Sequence, residues 1–172
     1  MIFLKTKTII LIIVALSIIL LIKDHNIIIP KDSIRIRIIS NSNSNNDLKT
    51  KMMIKEKVED KLYSLLNGIN SINDAENIIK NNLDDLNLLI QDISKDNYKI
   101  EYGSNYFPRK EYKGVIYEEG VYNSLVITLG EGKGNNWWCV LFPPLCLLDD
   151  NTKTKDVEYK LFVREIIEKL TK

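Results

Sequence analysis

The clearest pattern of apolar and polar positions in this chain lies in "SIRIRIIS", where three isoleucines alternate with Arg35 and Arg37. A period of two residues predicts a strand that is buried on one face only. We therefore expect the two arginines to form a solvated face, with contact to a partner as the alternative.

A polar turn and two amphipathic helices should follow this strand. The turn is "NSNSNN", residues 41–46, whose short side chains bond to nearby backbone, and Asp47 is the expected N-cap. The first helix should end at Asn67-Gly68, and the second should begin near Ser71. The two apolar stripes consist of Ile54, Val58, Leu62 and Leu65, and of Ala75, Ile79, Leu83, Leu86 and Ile90. We expect these helices to pack as a hairpin.

From residue 98 onwards the pattern becomes that of strands. The segments "YKIEY" and "SLVITLG" alternate, whereas "WWCVLF", residues 137–142, is a continuous apolar run that predicts a central strand. The glycine-rich stretch 130–136 would join the last two strands as a hairpin. A final helix should carry Tyr159, Phe162, Val163, Ile166 and Leu170. This order predicts an α+β domain with a mainly antiparallel sheet, a helical hairpin after the first strand and a C-terminal helix.

The N-terminus has the plan of an export signal. An uncharged apolar run, residues 9–22, follows Lys5 and Lys7. As a helix the run would span about 21 Å, which is short of the roughly 30 Å core of a bilayer. We predict a signal peptide or short membrane anchor in residues 1–30, preceding the rest of the α+β fold, and an exported domain in residues 31–172. Whether the segment is cleaved stays open.

Composition and charge narrow the classes of function. Hydrophobic residues make up 45% of the 172-residue chain, enough for a folded core. The formal net charge of +1 argues against binding to nucleic acid through electrostatic attraction.

The residue types needed for common catalytic and cofactor sites do not occur in the required patterns. "GEGKG" resembles a phosphate-binding loop, but Lys133 is followed by Gly134 rather than Ser or Thr, and a strand follows. His25 is the only histidine and lies beside the apolar run, which leaves Cys-His and Ser-His-Asp sites without a base. One histidine and two cysteines also fall short of a zinc site unless carboxylates complete the ligand set. We expect no catalytic residues, no metal and no cofactor, although hydrolysis by carboxylates alone stays open.

The cysteines and tryptophans suggest structural and binding roles. Cys139 and Cys146 would form a disulfide only if the chain reverses at Pro143-Pro144, and two buried free thiols are the alternative. Trp137 and Trp138 should point to opposite faces of their strand. One should lie in the core, and the other is expected to anchor a protein partner or to stack on a cell-wall sugar.

Several of these segments together resemble one family. "YNSLVITLGEGKGNNWWCVLFPPLC", residues 122–146, looks like the signature of stage II sporulation protein R. "RIRIISNSNS" and "EYGSNYFPRKEYKGVIYEEGVY" are also similar to that family, and the resemblance covers residues 34 to about 148. Ser40 stands where the family tends to have alanine, and Asn43 where it tends to have aspartate, which puts any role for a carboxylate there in doubt.

The resemblance implies a signalling protein of endospore-forming bacteria. Such proteins are exported from the forespore into the space between the two septal membranes. There they activate a membrane-embedded protease that processes the sigma-E precursor in the mother cell. On this view the protein is not an enzyme, and the partner-binding residues are Lys133, Asn135, Asn136, Trp137 and Trp138, because a glycine-rich tip presents polar groups beside an aromatic anchor. The alternative is an exported protein that binds or remodels cell-wall glycan.

Overall fold

The computed structural model describes residues 27–94, 97–112, 115–146 and 163–168. Most of the expected signal or anchor segment, residues 1–30, lies outside this range, as do Tyr159, Phe162 and Leu170 of the predicted last helix. Within the described ranges, no helix has both the length and the apolar composition needed to cross a bilayer.

The described residues form an α+β fold with helices between the second and third strands. The elements are β1 (Ile27–Ile28), β2 (Ile34–Ile39), α1 (Asn45–Leu66), α2 (Ile72–Asn81), α3 (Leu83–Ile93), β3 (Tyr98–Phe107), β4 (Lys110–Tyr112), β5 (Val115–Tyr117), β6 (Gly120–Leu129) and β7 (Asn136–Phe142). Residues 163–168 are helical, in agreement with the predicted C-terminal helix.

The strands form two sheets, and both are mixed. The larger sheet has the order β3-β6-β2-β7, and the smaller has the order β1-β5-β4. β2 pairs with β6 in parallel and with β7 in antiparallel orientation, while β5 pairs with β1 in parallel and with β4 in antiparallel orientation. The expected mainly antiparallel sheet is therefore not confirmed in that form, because each sheet contains one parallel pair.

Two predictions about β7 are wrong. β6 and β7 do not form a hairpin, because β2 lies between them, and β7 is an edge strand of the larger sheet rather than a central one. Its continuous apolar sequence has a different cause. One face of β7 packs on the main core through Trp137, Cys139 and Leu141, and the other packs on a second cluster through Trp138 and Val140.

The helical region departs from the prediction at three points. The stripe of α1 ends at Leu66, which is buried, rather than at Leu65, which is only half-buried. The N-cap of α1 is Ser44, whose hydroxyl accepts a hydrogen bond from the backbone N–H of Asp47, so Asp47 lies in the first turn instead. The predicted second helix is divided into α2 and α3 at Asn82. The side-chain amide of Asn82 donates to the carbonyl of Ile78 (2.8 Å), and this bond ends one helix where the next begins.

The main core lies between the three helices and one face of the larger sheet. Its buried members include residues of the alternating strand, of both helical stripes and of β6: Ile34, Ile36, Ile38, Ile54, Val58, Leu62, Ala75, Ile79, Leu86, Ile90, Leu125 and Ile127. The second cluster joins the opposite face of β7 to the smaller sheet and consists of Ile29, Val115, Tyr117, Val140, Leu145 and Val163. The larger sheet is thus covered on both faces around β7 and the neighbouring part of β2, whereas residues of β3 such as Tyr106 stay exposed.

This double coverage overturns the prediction of a solvated arginine face. The Arg35 side chain is fully buried, and Arg37 is half-buried. The guanidinium carbon of Arg35 lies 3.4 Å from the centroid of the Tyr122 ring, and that of Arg37 lies 4.2 Å from the centroid of Phe107. Aromatic rings replace water around Arg35, and one ring covers part of Arg37, because a guanidinium is weakly hydrated and stacks well on aromatic faces.

Candidate functional site

Two loops meet at one edge of the larger sheet, and the topology of the sheet brings them together. The Asn/Ser loop (residues 40–44) leaves the end of β2, and the glycine-rich loop (residues 130–135) connects β6 to β7. β2 and β6 are parallel and therefore end at the same edge, while antiparallel β7 begins there, opposite Ile39. The glycine-rich loop must pass over the end of β2, directly against the Asn/Ser loop. We call these two segments the loop pair.

Backbone and side-chain hydrogen bonds hold the loop pair together. The backbone N–H of Glu131 donates to Oδ1 of Asn41 (3.0 Å), and that of Asn135 donates to Oδ1 of Asn43 (2.7 Å). Two further backbone N–H groups of the glycine-rich loop, those of Lys133 and Gly134, donate to the carbonyls of Asn41 (3.0 Å) and Ser40 (2.8 Å). The hydrogen bond to Asn43 requires only an acceptor oxygen. An amide supplies one as well as a carboxylate does, so the bond forms although the family tends to have aspartate at this position.

Gly134 is required by the close approach of the two loops. A Cβ atom at this position would lie 2.3 Å from the carbonyl oxygen of Ser42 and 2.7 Å from Cβ of Ser40. Gly130 adopts a positive φ of 53°, which side chains rarely tolerate. The glycines that suggested a phosphate site therefore allow two loops to pack against each other.

Asp47 organises the Asn/Ser loop from the first turn of α1. Its carboxylate accepts hydrogen bonds from the Ser42 hydroxyl and from the amide of Asn41 (3.3 Å). The Ser42 bond, together with those of Ser44 and Asn41, lowers the pKa of Asp47 below its ordinary value. A negative charge in this turn also complements the dipole of α1.

Two lysines of α1 support the site from the helix side of the sheet, and neither was predicted from the sequence. Lys51 is buried, and its Nζ donates to the carbonyl of Asn135 (2.9 Å). Lys55 is buried as well, with its Nζ 3.1 Å from a carboxylate oxygen of Glu59 and 5.2 Å from the centroid of the Trp137 ring. A signal was present in the sequence, because residues 51 and 55 share the helical face of Val58 and Leu62.

The five predicted partner-binding residues lie close together in the chain but differ in exposure. Lys133, Asn135 and Asn136 are exposed, and Nζ of Lys133 lies 2.5 Å from a carboxylate oxygen of Glu131. Trp137 and Trp138 point to opposite faces as predicted, but both are half-buried, so neither offers the open aromatic platform that was expected. No observation among the described residues favours the glycan alternative.

Trp138 forms one wall of a small cavity beside the loop pair, which we call the Trp138 pocket. Its volume is about 120 Å³, and its lining includes Lys110, Tyr112, Tyr117, Asn136 and Trp138. Phe107 and Tyr117 hold the indole in edge-to-face contacts, with ring centroids 5.8 and 5.7 Å away. Lys110, Tyr112 and Tyr117 were not predicted as site residues, since no periodicity in the sequence connects them to Trp138.

In the structure Cys139 and Cys146 are free thiols, the first half-buried and the second buried. The chain turns back at residues 143–146, and the thiols of Cys139 and Cys146 both lie near the carbonyl oxygen of Val140, at 3.8 and 2.9 Å. Burial, together with a hydrogen bond between the two thiols, raises the pKa of Cys146. A buried thiol with a raised pKa is a poor nucleophile.

The described cavities do not assemble a catalytic carboxylate pair. One apolar cavity, about 380 Å³, lies between the end of α1 and the turn at residues 143–146, and Glu59 is the single carboxylate in its described lining. A wide surface depression on α1 contains Glu56, and the described lining of the Trp138 pocket contains no carboxylate. Within the described ranges, no three His, Cys, Asp or Glu side chains cluster closely enough to hold a metal ion.

Fold and site together define an α+β protein that presents a braced loop pair and a neighbouring aromatic pocket at one edge of a mixed sheet. Residues 30–153 match the family model of stage II sporulation protein R. The protein named stage II sporulation protein R from Bacillus subtilis (strain 168) is 34% identical over 132 residues, which cover 74% of this chain and 59% of that relative. The chain therefore belongs to the stage II sporulation protein R family, which confirms the resemblance found in its sequence. No solved structure matches it.

Proposed function

We propose that this protein acts in sporulation as an exported signal that activates a membrane-embedded protease in the mother cell, which then processes the sigma-E precursor. Membership in a sporulation family supports the sporulation role. The observation that carries the signalling role is the loop pair. It presents exposed polar groups on a backbone that is fixed by hydrogen bonds, as a preformed contact surface requires.

In this proposal the protein reaches the space between the two septal membranes through its N-terminal segment, which is either removed or kept as a tether. Contact is made by Lys133, Asn135 and Asn136, which are exposed, with the Trp138 pocket beside them. Trp137 has a supporting role, because its ring packs on the main core and on Lys55.

The test is co-expression of this chain with the protease and the sigma-E precursor in a host that lacks all three. We expect processing that depends on the wild-type chain. The absence of processing, with the chain exported and folded, would contradict the proposed function.

A glycine pair in the same assay tests whether the shape of the loop pair matters. Gly134→Ala forces a Cβ against the carbonyl of Ser42, whereas Gly103→Ala on β3 meets no atom within 4 Å. We expect Gly134→Ala to lower processing at least tenfold and Gly103→Ala to leave it unchanged. Since Gly134→Ala also strains the fold, the exposed double variant Lys133→Ala/Asn136→Ala provides a second reading. Normal processing by that folded variant would remove the loop pair as the contact surface.

A further inference from the structure

We propose that the Trp138 pocket binds an acidic side chain, Asp or Glu, of the protease that this protein activates. The inference rests on the proposed function and adds the chemistry of the contact. The volume of about 120 Å³ is far below the roughly 300–1,000 Å³ of sites for cofactors and other small molecules. It is also slightly smaller than the roughly 150 Å³ cavity known to take one benzene ring. The pocket therefore has room for one small side chain.

The charge of the pocket selects an anion. Lys110 is exposed, its Nζ lies 5.1 Å from the centroid of the Trp138 ring, and no carboxylate oxygen of any described residue lies within 4.0 Å of it. A second cation, Arg35, lies 5.7 Å from the centroid of the same ring. No described lining residue carries a carboxylate, so two positive groups meet one indole without a counter-charge in the wall of the pocket. A carboxylate entering beside Trp138 would supply that charge.

Arg35 is a second, independent sign of missing negative charge. One of its terminal nitrogens donates to the carbonyl of Glu118 (3.0 Å), but Nε and the other terminal nitrogen are buried and have no hydrogen-bond partner among the described residues. A buried cation with unpaired N–H groups is costly unless an anion lies nearby. Because the Arg35 side chain is fully buried, it would not touch a group bound in the pocket. Its positive charge attracts that group electrostatically, across the ring of Trp138.

The aromatic wall of the pocket is held in place by packing before any partner arrives. The indole of Trp138 is held between Phe107 and Tyr117, and Asn136 begins β7 directly after the loop pair. A prebuilt pocket of this kind spares the ordering cost of binding. The position of Asn136 in both the pocket and the exposed contact surface favours a side chain of the protein partner over a free anion.

The experiment uses charge reversal in the co-expression assay described above, with the full chain. We expect Lys110→Glu to lower processing at least tenfold, and Lys110→Arg, which keeps the charge, to stay within threefold of wild type. Lys99→Glu is the matched control. Lys99 is also an exposed lysine, and it forms an ion pair with Glu101 (2.7 Å). It lies on β3, the edge strand that β6 and β2 separate from β7, so its charge reversal should leave processing unchanged. Circular dichroism melting checks that all three variants fold.

A charge swap then identifies the partner group. Each Asp and Glu in the part of the protease that faces the space between the two septal membranes is changed to Lys, one at a time. Each of these variants is tested with Lys110→Glu. We expect one swap to restore processing. The inference is overturned if Lys110→Glu processes within twofold of wild type, or if it is inactive and no swap restores it. If the wild-type chain drives no processing, the proposed function fails and this inference fails with it.

Discussion

The two faces of β2 (Ile34–Ile39) carry different kinds of side chain, although they alternate within the same six residues. Ile34, Ile36 and Ile38 pack on the helices in an aliphatic core, while Arg35 and Arg37 pack among Phe107, Tyr122 and Trp138 on the other face. The aliphatic face excludes water by close packing alone. The arginine face is an alternating layer of cations and rings, and it ends beside the Trp138 pocket. We infer that the aliphatic face sets stability, while the arginine face shapes the contact surface.

The largest expected effect is on the aliphatic face. Ile36→Ala should lower the free energy of unfolding by about 2–5 kcal/mol, because Ile36 is fully buried and its truncation leaves a cavity. The shift of the urea midpoint, at unchanged slope, measures the loss. A loss below about 1 kcal/mol would show that the core relaxes around the site and would weaken the contrast between the two faces.

Substitutions of Arg35 should cost less and should separate its packing from its charge. Arg35→Ala removes both the buried stem and a desolvated cation–π contact, for a loss of about 2 kcal/mol. Arg35→Met keeps most of the packed volume, and we expect a loss below about 1.5 kcal/mol. Burial already lowers the pKa of Arg35, so removal of the charge relieves a desolvation cost. Equal losses in the two variants, measured by urea unfolding, would mean that the charge itself stabilises this face.

A smaller effect is expected at Tyr122. Its hydroxyl donates to the carbonyl of Glu118 (3.0 Å), which also accepts the bond from Arg35. Tyr122→Phe leaves the ring on Arg35 and leaves the carbonyl with one donor, so we expect a loss of about 1 kcal/mol or less in free energy of unfolding. A loss larger than that of Arg35→Met would show that the hydroxyl, rather than the ring, holds this face together.

The smallest expected effect is a response to acid in the Asn/Ser loop, which follows the end of β2. Hydrogen bonding lowers the pKa of Asp47 in the folded protein, so its contribution to stability is present above the ordinary value of about 3.9 and is lost as the pH falls through the folded value. We expect the amide signals of residues 41–44 to shift below about pH 4 in NMR spectra, before global unfolding. Asp47→Asn should remove this early shift, and its persistence would assign the transition to another group.

The sequence predicted the elements of this fold better than their arrangement. The alternation of β2, the stripe of α1 up to Leu62 and the stop at Asn67-Gly68 follow from local pattern and backbone preference, and the structure confirms them. The place of β2 between β6 and β7 depends on pairing between distant segments, which no local pattern reports. Arg35 was misjudged for the same reason, because the rings that bury it come from β3, β6 and β7.

The candidate site was located in part. The exposed residues Lys133, Asn135 and Asn136 were identified from the composition of the glycine-rich loop. The segment that braces it, residues 40–44, overlaps the stretch 41–46, which was predicted only as a polar turn. Lys110 was not predicted, because it comes close to Trp138 only when the smaller sheet packs on β7. The local sequence thus identifies the exposed residues of the glycine-rich loop. The segments that hold this loop in place are found only in the tertiary structure.

The order of strands has a consequence for how the protein is made. β2 is the first strand of the larger sheet to leave the ribosome, yet both of its neighbours, β6 and β7, are among the last segments of the described chain. The sheet therefore cannot close until nearly the whole domain has been synthesised, and pairing over such separations is slow. Until then the emerging chain carries an unpaired strand near its start, and an unfolded chain of this kind is what the export that we propose would need.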